Sequence, residues 1–272
     1  MDADWPGHPP DYSKPPRGEL TVAQVAAMID HSLLRPELTL DDVRLGCEIA
    51  AAHEVMSVCC KPADVVHASR VLAETHVLVG TVVGFPHGSS TTETKVFEAR
   101  DALDSGAREL DMVINIGRLR GGDHAYVAAD IHAIVEVAAT AGALVKVIFE
   151  NAYLTDEEKV AACHLTEDAG ADFVKTSTGF AASGATMEDL LLMRRSVGPA
   201  MQVKAAGGVR TLDTMLAMVA IGVSRFGATA TVAMLADANE RAARGELRVP
   251  PVEAVAVEAI AVEAVGADAH QY

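Results

Sequence analysis

The sequence is poor in aromatic residues, which make up 4% of the chain although half of all residues are hydrophobic. The core must therefore be built mainly from Val, Ala, Leu, Ile and Met. Such a core suits repeated units of one β-strand and one α-helix. The length of 272 residues fits one large domain or two small ones, because α/β barrels commonly reach this size undivided.

Positive charge is also scarce, since 22 Lys and Arg stand against 38 Asp and Glu, a formal net charge of −16. Nucleic acids and anionic membranes are usually bound through surplus positive charge, so neither is an expected partner. An anionic small molecule is still compatible with this negative charge, because backbone amides at a helix N-terminus bind a phosphate whatever the net charge of the protein. No segment has the length and hydrophobicity of a membrane span, and the acidic, proline-rich N-terminus does not resemble a signal peptide.

Only four cysteines occur, namely Cys47, Cys59, Cys60 and Cys163. Their spacing fits no metal-binding motif, and Cys59 and Cys60 would point to opposite faces of a predicted strand. We therefore predict no metal site, and we expect reduced thiols and a cytoplasmic location. Cys59 is most simply interpreted as a small buried hydrophobe.

Two terminal segments differ from the rest of the chain. Residues 1–18 hold five of the 11 prolines, which predicts a disordered arm. Residues 248–272 contain a Val-Glu-Ala motif repeated every five residues, a period that matches neither helix nor strand, so a flexible tail is predicted. One hypothesis for the terminal Tyr272 is that it closes over an active site and relays a proton. The folded domain is expected within residues 19–247.

Inside that domain, short apolar runs alternate with longer amphipathic segments, which predicts parallel strands joined by helices. Eight strands are predicted, near Met28–Leu33, Val55–Cys60, Val77–Phe85, Glu109–Asn115, Leu144–Glu150, Phe173–Ser177, Gln202–Ala206 and Arg225–Ala228. Helices are expected after each strand, several with a threonine N-cap and first-turn acids, as at Thr39, Thr155 and Thr186. Eight such units favour an α/β fold of the closed TIM (β/α)8 type, whose active site lies at the C-terminal ends of the strands.

Three of the seven lysines interrupt predicted apolar strands, namely Lys146, Lys175 and Lys204. Positions 146, 175 and 204 differ by 29 each time, about one βα unit, so we expect equivalent heights on three consecutive strands. A single strand lysine would most simply form a buried ion pair, and Lys146 is a candidate for pairing with Asp111 or Glu150.

Close lysines have a chemical use. Two ammonium groups about 5 Å apart repel by roughly 3 kcal/mol at an effective dielectric constant near 20, which lowers a lysine pKa by about two units. A lysine with a lowered pKa has neutral amine available near pH 7 and can attack a carbonyl to form a Schiff base.

A second signal lies in the segments Ala205–Thr211 and Arg225–Thr229, which contain Gly207, Gly208 and Gly227. Loops after strands seven and eight of a TIM barrel often bind phosphate through backbone amides, and the Thr229 hydroxyl adds a donor. A Gly-Gly turn by itself is more often a tight connection. The position of this turn after strand seven is what makes it a candidate phosphate site.

At these residues the chain strongly resembles the deoxyribose-phosphate aldolase family, over nearly everything from Val22 to about Ala233. The resemblance is carried by the motifs Ile29-Asp-His-Ser-Leu-Leu34, Val83-Gly-Phe-Pro-His-Gly88, Gly106-Ala-Arg-Glu-Leu-Asp-Met-Val-Ile-Asn115, Gly170-Ala-Asp-Phe-Val-Lys-Thr-Ser-Thr-Gly-Phe180 and Val203-Lys-Ala-Ala-Gly-Gly-Val-Arg210. Several specific motifs in the same order seldom arise by chance.

The resemblance implies reversible cleavage of 2-deoxy-D-ribose 5-phosphate to glyceraldehyde 3-phosphate and acetaldehyde, in deoxynucleoside breakdown, without metal or organic cofactor. It implies that Lys175 forms the Schiff base, that Lys204 perturbs it, and that Asp111 helps to move protons. The substrate and phosphate would be bound by Thr178, Gly179, Gly207, Gly208, Gly227, Ala228 and Thr229. The partners expected are thus a small sugar phosphate and an aldehyde, and the oligomeric state stays open, a homo-oligomer included.

The chain departs from the family pattern at a few positions. Ser32 stands where Thr is usual, and Lys61 where a neutral residue is common. Thr229-Ala230 replaces a frequent Ser-Ser pair, and Phe180 occupies a place where some relatives have lysine. The last two changes bear on phosphate affinity and leave the type of reaction unaffected.

Two alternative functions remain open at this point. One is another lysine aldolase on the same fold, of the transaldolase or keto-acid type, which would use the same lysine chemistry on a different donor. The other is a catalytically inactive barrel that binds a sugar phosphate as a sensor. The presence of Lys175, Lys204 and Asp111 argues against the second.

Overall fold

Eight parallel strands close into a barrel in the computed structural model, which describes residues 16–255. Each strand pairs with the next along the chain, and β8 pairs with β1. The strands are β1 (Ile29–Leu33), β2 (Ser57–Cys60), β3 (Leu78–Val83), β4 (Glu109–Val113), β5 (Leu144–Ile148), β6 (Phe173–Lys175), β7 (Gln202–Ala206) and β8 (Arg225–Ala228). The predicted TIM barrel and its eight strands are confirmed.

Helices follow the strands and surround the barrel. Their bounds in the described residues are α1 (Val22–Ala26), α2 (Leu40–Ala52), α3 (Val65–Val71), α4 (Thr92–Asp104), α5 (Ile116–Arg120), α6 (His124–Ala139), α7 (Asp156–Asp168), α8 (Met187–Arg195), α9 (Leu212–Ala220) and α10 (Thr231–Ala243). The sequence did not predict α1 and α5, because five residues are too few to show a helical period. None of the helices in this part of the chain has both the length and the apolarity to cross a membrane.

The predicted threonine N-caps are present. Thr39 accepts a hydrogen bond from the backbone of Asp42, whose carboxylate in turn accepts from the backbone of Thr39. Thr155 and Glu158 form the same reciprocal pair at the start of α7. Each cap satisfies backbone N–H groups that the first turn of a helix leaves without partners, and so defines where the helix begins.

The core lies between the strands and the helices, and the inside of the barrel holds charged side chains together with apolar ones such as Phe173, whose ring lies beside Lys146 and Arg225. Strands β2, β3 and β4 are buried at every residue, as expected where helices cover one face and the barrel interior the other. On β1, Ile29 and Leu33 belong to the hydrophobic core, whereas Asp30 and Ser32 line the barrel mouth. The alternation of side chains along the strands thus brings charged groups to the barrel axis.

The two ends of the described chain lie together at the barrel surface. Leu20 donates a backbone hydrogen bond to Leu247, and Val249 donates one to Gly18. Glu19 and Arg248 form an antiparallel bridge, so the predicted boundaries at 18/19 and 247/248 both fall inside this pairing. Residues 1–15 and 256–272, with the terminal Tyr272, lie outside the described residues.

Candidate active site

The three strand lysines do not all share one height. Lys175 and Lys204 are direct partners in the β6–β7 register, as predicted. Lys146 pairs with Phe173, while Ile148 is the partner of Lys175, so Lys146 lies two residues lower in the barrel. The expectation of three equivalent heights is therefore wrong for Lys146. Closing a barrel requires a shear between strands, so equal spacing in sequence does not guarantee equal height.

All three lysines nevertheless meet at one carboxylate, Asp111 on β4. Lys175 Nζ and Lys204 Nζ each donate to Oδ2 of Asp111 at 2.7 Å, and Lys146 Nζ donates to Oδ1 at 2.9 Å. The four side chains are at most 3% exposed. The predicted catalytic residues Lys175, Lys204 and Asp111 are thus brought into direct contact.

Asp30, Glu109 and Arg225 complete the cluster. Arg225 binds Asp30 and also donates to Glu109 at 2.8 Å. Lys146 Nζ lies 2.7 Å from Glu109, and Lys204 Nζ lies 2.5 Å from Asp30. Sequence reasoning missed these three residues, although charged side chains inside the predicted strands were a signal that could have found them.

Glu150 was a candidate partner for Lys146, and the structure places it elsewhere. Its carboxylate accepts hydrogen bonds from the backbone and hydroxyl of Thr178, in the loop after β6. Lys146 pairs with Asp111, the other candidate, and with Glu109. The reason is position, because Glu150 lies two residues beyond the end of β5 whereas Lys146 is at its centre.

The charges of the cluster favour a neutral amine. Three carboxylates face four basic groups, so one positive charge is in excess if every group is ionised. An excess charge out of contact with water is costly, and losing one proton from a lysine removes it. Lys146 contacts three carboxylates and Lys204 two, whereas Lys175 contacts only Asp111. Lys175 is therefore the group that loses its proton most easily.

The pKa shifts follow the same order. Burial lowers the pKa of Lys175, and the nearby Lys204 charge lowers it further against the opposing effect of Asp111. Burial acts on Lys204 as well, but the carboxylates of Asp111 and Asp30 raise its pKa above the usual value. Burial opposes ionisation of Asp111, yet Lys146, Lys175 and Lys204 together hold its pKa well below the usual value. Loss of solvent, more than Lys204, is thus the main cause of the lowered Lys175 pKa.

A cavity of about 430 Å³ opens above this cluster, at the C-terminal ends of the strands. Lys175, Lys204 and Asp30 lie among its lining residues. All seven residues expected to bind substrate and phosphate also line it, namely Thr178, Gly179, Gly207, Gly208, Gly227, Ala228 and Thr229. The structure therefore brings the predicted catalytic and binding residues to one cavity.

Three turns of this cavity carry backbone amides without an internal partner. The N–H groups of Gly179, Gly208 and Thr229 make no hydrogen bond within residues 16–255. Gly207 and Gly208 have φ of +79° and +84°, and a Cβ on Gly207 would lie 2.9 Å from the Cα of Gly184. Only glycine allows this close approach of two loops, which gives the turn its shape.

One wall of the cavity is apolar. Leu34, Cys59 and Phe180 line it, and the rings of Phe85 and Phe180 pack edge to face with centroids 5.3 Å apart. Burial raises the pKa of the Cys59 thiol to about 11, which leaves it protonated and agrees with its interpretation as a small hydrophobe. Lys61, in contrast, lies outside the lining and pairs with Asp64.

Comparisons with known proteins show that the amino-acid sequence of this chain is similar to those of aldolases. The model of the DeoC/LacD family aldolases matches residues 24–236. A deoxyribose-phosphate aldolase of Thermococcus gammatolerans is 51% identical over 217 residues, 79% of this chain and 96% of the relative. One from Bacillus mycoides is 54% identical over 211 residues, 78% of this chain and 94% of the relative.

Solved structures are similar as well. A putative deoxyribose-phosphate aldolase from Coccidioides immitis superposes with a TM-score of 0.78 at 38% identity, covering 81% of this chain and 88% of that one. A tetrameric deoxyribose phosphate aldolase from Aeropyrum pernix gives a TM-score of 0.75 at 31% identity, covering 80% and 92%.

Proposed function

The chain belongs to the DeoC/LacD family of aldolases, and we propose that Lys175 is the residue through which it cleaves 2-deoxy-D-ribose 5-phosphate. The reaction is a reversible aldol cleavage that yields D-glyceraldehyde 3-phosphate and acetaldehyde. The enzyme is thus an aldehyde-lyase. The observation that carries the assignment of Lys175 is its place in the cavity lining as the cluster lysine with a single carboxylate partner.

The chemistry requires a neutral amine at the cavity floor. The Lys175 nitrogen adds to the C1 aldehyde of the open-chain sugar, and loss of water gives an iminium ion. Removal of the proton from the C3 hydroxyl breaks the C2–C3 bond, releases glyceraldehyde 3-phosphate and leaves an enamine on Lys175. Protonation of the enamine at C2 and hydrolysis then release acetaldehyde and restore the amine.

Lys204 and Asp111 are proposed to move protons during these steps. Asp111 Oδ2 lies 2.7 Å from both the Lys175 and the Lys204 nitrogens, so one oxygen connects the two amines. Lys204 also lines the cavity, and its raised pKa keeps a proton available there. The low pKa of Asp111 makes it a hydrogen-bond acceptor that orients both lysines and returns any proton quickly.

The phosphate is proposed to bind at the turns after β6, β7 and β8. Gly179, Gly208 and Thr229 offer backbone N–H groups, and Thr229 adds a hydroxyl. Gly207 shapes its turn, and Gly227 and Ala228 form the part of the cavity wall that lies on β8. Backbone amides suit an anion in a chain of strongly negative net charge.

Assembly and location are further parts of the proposal. A homo-oligomer is supported by the tetrameric Aeropyrum pernix relative. A cytoplasmic location is supported by the four cysteines, all free and buried in the structure, because reducing compartments keep thiols unpaired.

Reductive trapping tests the assignment of Lys175. Acetaldehyde and borohydride added to the protein are expected to leave a reduced two-carbon adduct on the peptide that contains Lys175, located by mass spectrometry. An adduct on Lys204 instead would contradict the assignment. If no lysine carries an adduct and the protein still binds the sugar phosphate, the result would favour an inactive barrel that only binds its ligand.

A further inference from the structure

Glu150 has an unusual backbone conformation at the mouth of the barrel. It follows β5 by two residues and has φ 59° and ψ 65°, in the left-handed region. Apart from glycines, only Glu54 shares a positive φ among residues 16–255. A non-glycine residue in this conformation costs on the order of 1 kcal/mol or more. A glycine at position 150 would avoid that cost. The presence of a glutamate there is therefore explained by what its side chain does.

The side chain of Glu150 connects two loops of the site. It is 2% exposed, and both carboxylate oxygens lie 3.3 Å from the backbone nitrogen of Thr178. The Thr178 hydroxyl also donates to Glu150 Oε2, and the same hydroxyl oxygen accepts from the Phe180 backbone N–H at 3.0 Å. A continuous chain of hydrogen bonds therefore runs from Glu150 through Thr178 to Phe180.

This chain determines which donor of the turn stays available. The N–H groups of Thr178 and Phe180 are both used internally, and the only proton of the Thr178 hydroxyl goes to Glu150. The N–H of Gly179, between them, has no partner within the described residues. Gly179 lines the cavity and has φ +89°, a conformation open to glycine, and the hydrogen bonds on both sides of it fix the turn in this shape.

We propose that Glu150 is a positioning residue for phosphate recognition, which fixes the turn so that the Gly179 N–H is presented to the phosphate of the substrate. The proposal rests on the phosphate site described above. Glu150 itself is absent from the cavity lining and acts through Thr178. Its effect therefore belongs to substrate affinity and leaves the chemistry at Lys175 unchanged.

Steady-state kinetics with two sugars test this role. In Glu150→Gln, the amide keeps one acceptor oxygen and loses the other and the negative charge, so the contact with Thr178 is weakened and the turn is held less firmly. The KM for 2-deoxyribose 5-phosphate is expected to rise about tenfold, the loss of one well-placed hydrogen bond to a charged group, while kcat stays within about twofold. The kcat/KM for unphosphorylated 2-deoxyribose should stay unchanged, because that sugar has no phosphate to bind.

Four further variants complete the test. Thr178→Val should reproduce the rise in KM, and the double variant should add little to either single change, because both break the same chain. Glu150→Gly relieves the left-handed strain and should remain folded in a thermal melt, yet show the same rise. Glu54→Gln is the matched control, because Glu54 is an exposed glutamate with φ 50° in the turn after α2, and its kinetics should equal those of the unaltered protein.

Four results would overturn the proposal. An equal fall in kcat with both sugars, or a shift in the pH at which acetaldehyde is trapped, would mean that Glu150 acts on Lys175. If Glu150→Gln and Glu150→Gly both prefer the phosphorylated sugar as strongly as the unaltered protein does, Glu150 has no positioning role. The phosphate site itself would then be unaffected. Equal kcat/KM for both sugars in the unaltered protein would remove the phosphate site and this role together.

Discussion

Lys175 and Lys204 lie side by side on β6 and β7, and both nitrogens donate to the same oxygen of Asp111 at 2.7 Å. Two nitrogens that each lie 2.7 Å from one oxygen are at most about 5.4 Å apart, where two like charges repel strongly. The second carboxylate contact of Lys204, to Asp30, decides which of the two remains charged. The two lysines therefore differ in how easily each loses a proton, because their carboxylate partners differ.

Replacing Lys175 by Leu is expected to abolish turnover and the borohydride adduct together. No other lysine of the cluster combines a lowered pKa with a place in the cavity lining, so no neutral amine would replace it. Adduct formation and acetaldehyde release are the measurements. Lys159→Gln, on α7 and paired with Asp156 and Asp189, is the control that should keep both.

Replacing Lys204 by Leu is expected to move the pH range of adduct formation upward by roughly one to two units. The lost positive charge no longer lowers the Lys175 pKa, so neutral amine appears only at higher pH. Trapping measured across a pH series is the readout. Lys204→Arg keeps the charge and should keep the range close to that of the unaltered protein. A Lys204→Leu protein that traps nothing at any pH, beside a Lys175→Leu protein that does, would reverse the two roles.

Asp111→Asn should destabilise the fold and lower the Lys175 pKa further. Removing the shared carboxylate leaves buried positive charges without compensation, a loss of about 3 to 5 kcal/mol in the free energy of unfolding. Asp111 raises the Lys175 pKa, so its loss should let the adduct form at lower pH, although turnover falls. Denaturant unfolding and trapping measure the two effects. Asp130→Asn breaks the buried Lys95–Asp130 pair away from the cavity, and should lower stability without moving the trapping pH.

Unphosphorylated 2-deoxyribose is expected to be a much poorer substrate than its 5-phosphate. Binding energy gained at the phosphate turns helps to hold the sugar in the reactive position, so its loss lowers kcat/KM. The comparison uses the unaltered protein at one pH and ionic strength. Similar kcat/KM values for the two sugars would show that the turns after β6, β7 and β8 do not recognise the phosphate.

Phe180→Lys should strengthen binding of the phosphorylated sugar. Phe180 lines the cavity and is 49% exposed, so an ammonium group there reaches the phosphate turns while staying in contact with water. The KM for the 5-phosphate is expected to fall by roughly threefold at low salt and to return toward the original value at high salt, because exposed charges are screened. Phe180→Met, without charge, should not lower it. A salt-independent change in KM would contradict an electrostatic effect.

Much of this protein could be predicted from its sequence because the relevant signals are local. Alternating apolar and amphipathic segments predicted eight strands, and threonine caps such as Thr39 and Thr155 marked helix starts correctly. Lysines inside apolar strands pointed to the site, since a buried lysine needs a purpose or a partner. The spacing of one βα unit predicted correctly that Lys175 lies beside Lys204, although the same spacing failed for Lys146.

Tertiary structure alone decided the electrostatics of the site. The shear of the barrel set Lys146 two residues lower than its equal spacing suggested, and brought Asp30, Glu109 and Arg225 from distant segments into one cluster. Pairing between strands depends on how the whole sheet closes, which no local pattern encodes. The same closure placed Glu150 against Thr178 and left Lys175 with one carboxylate partner, so the proposed nucleophile is distinguished by contacts that exist only in the folded barrel.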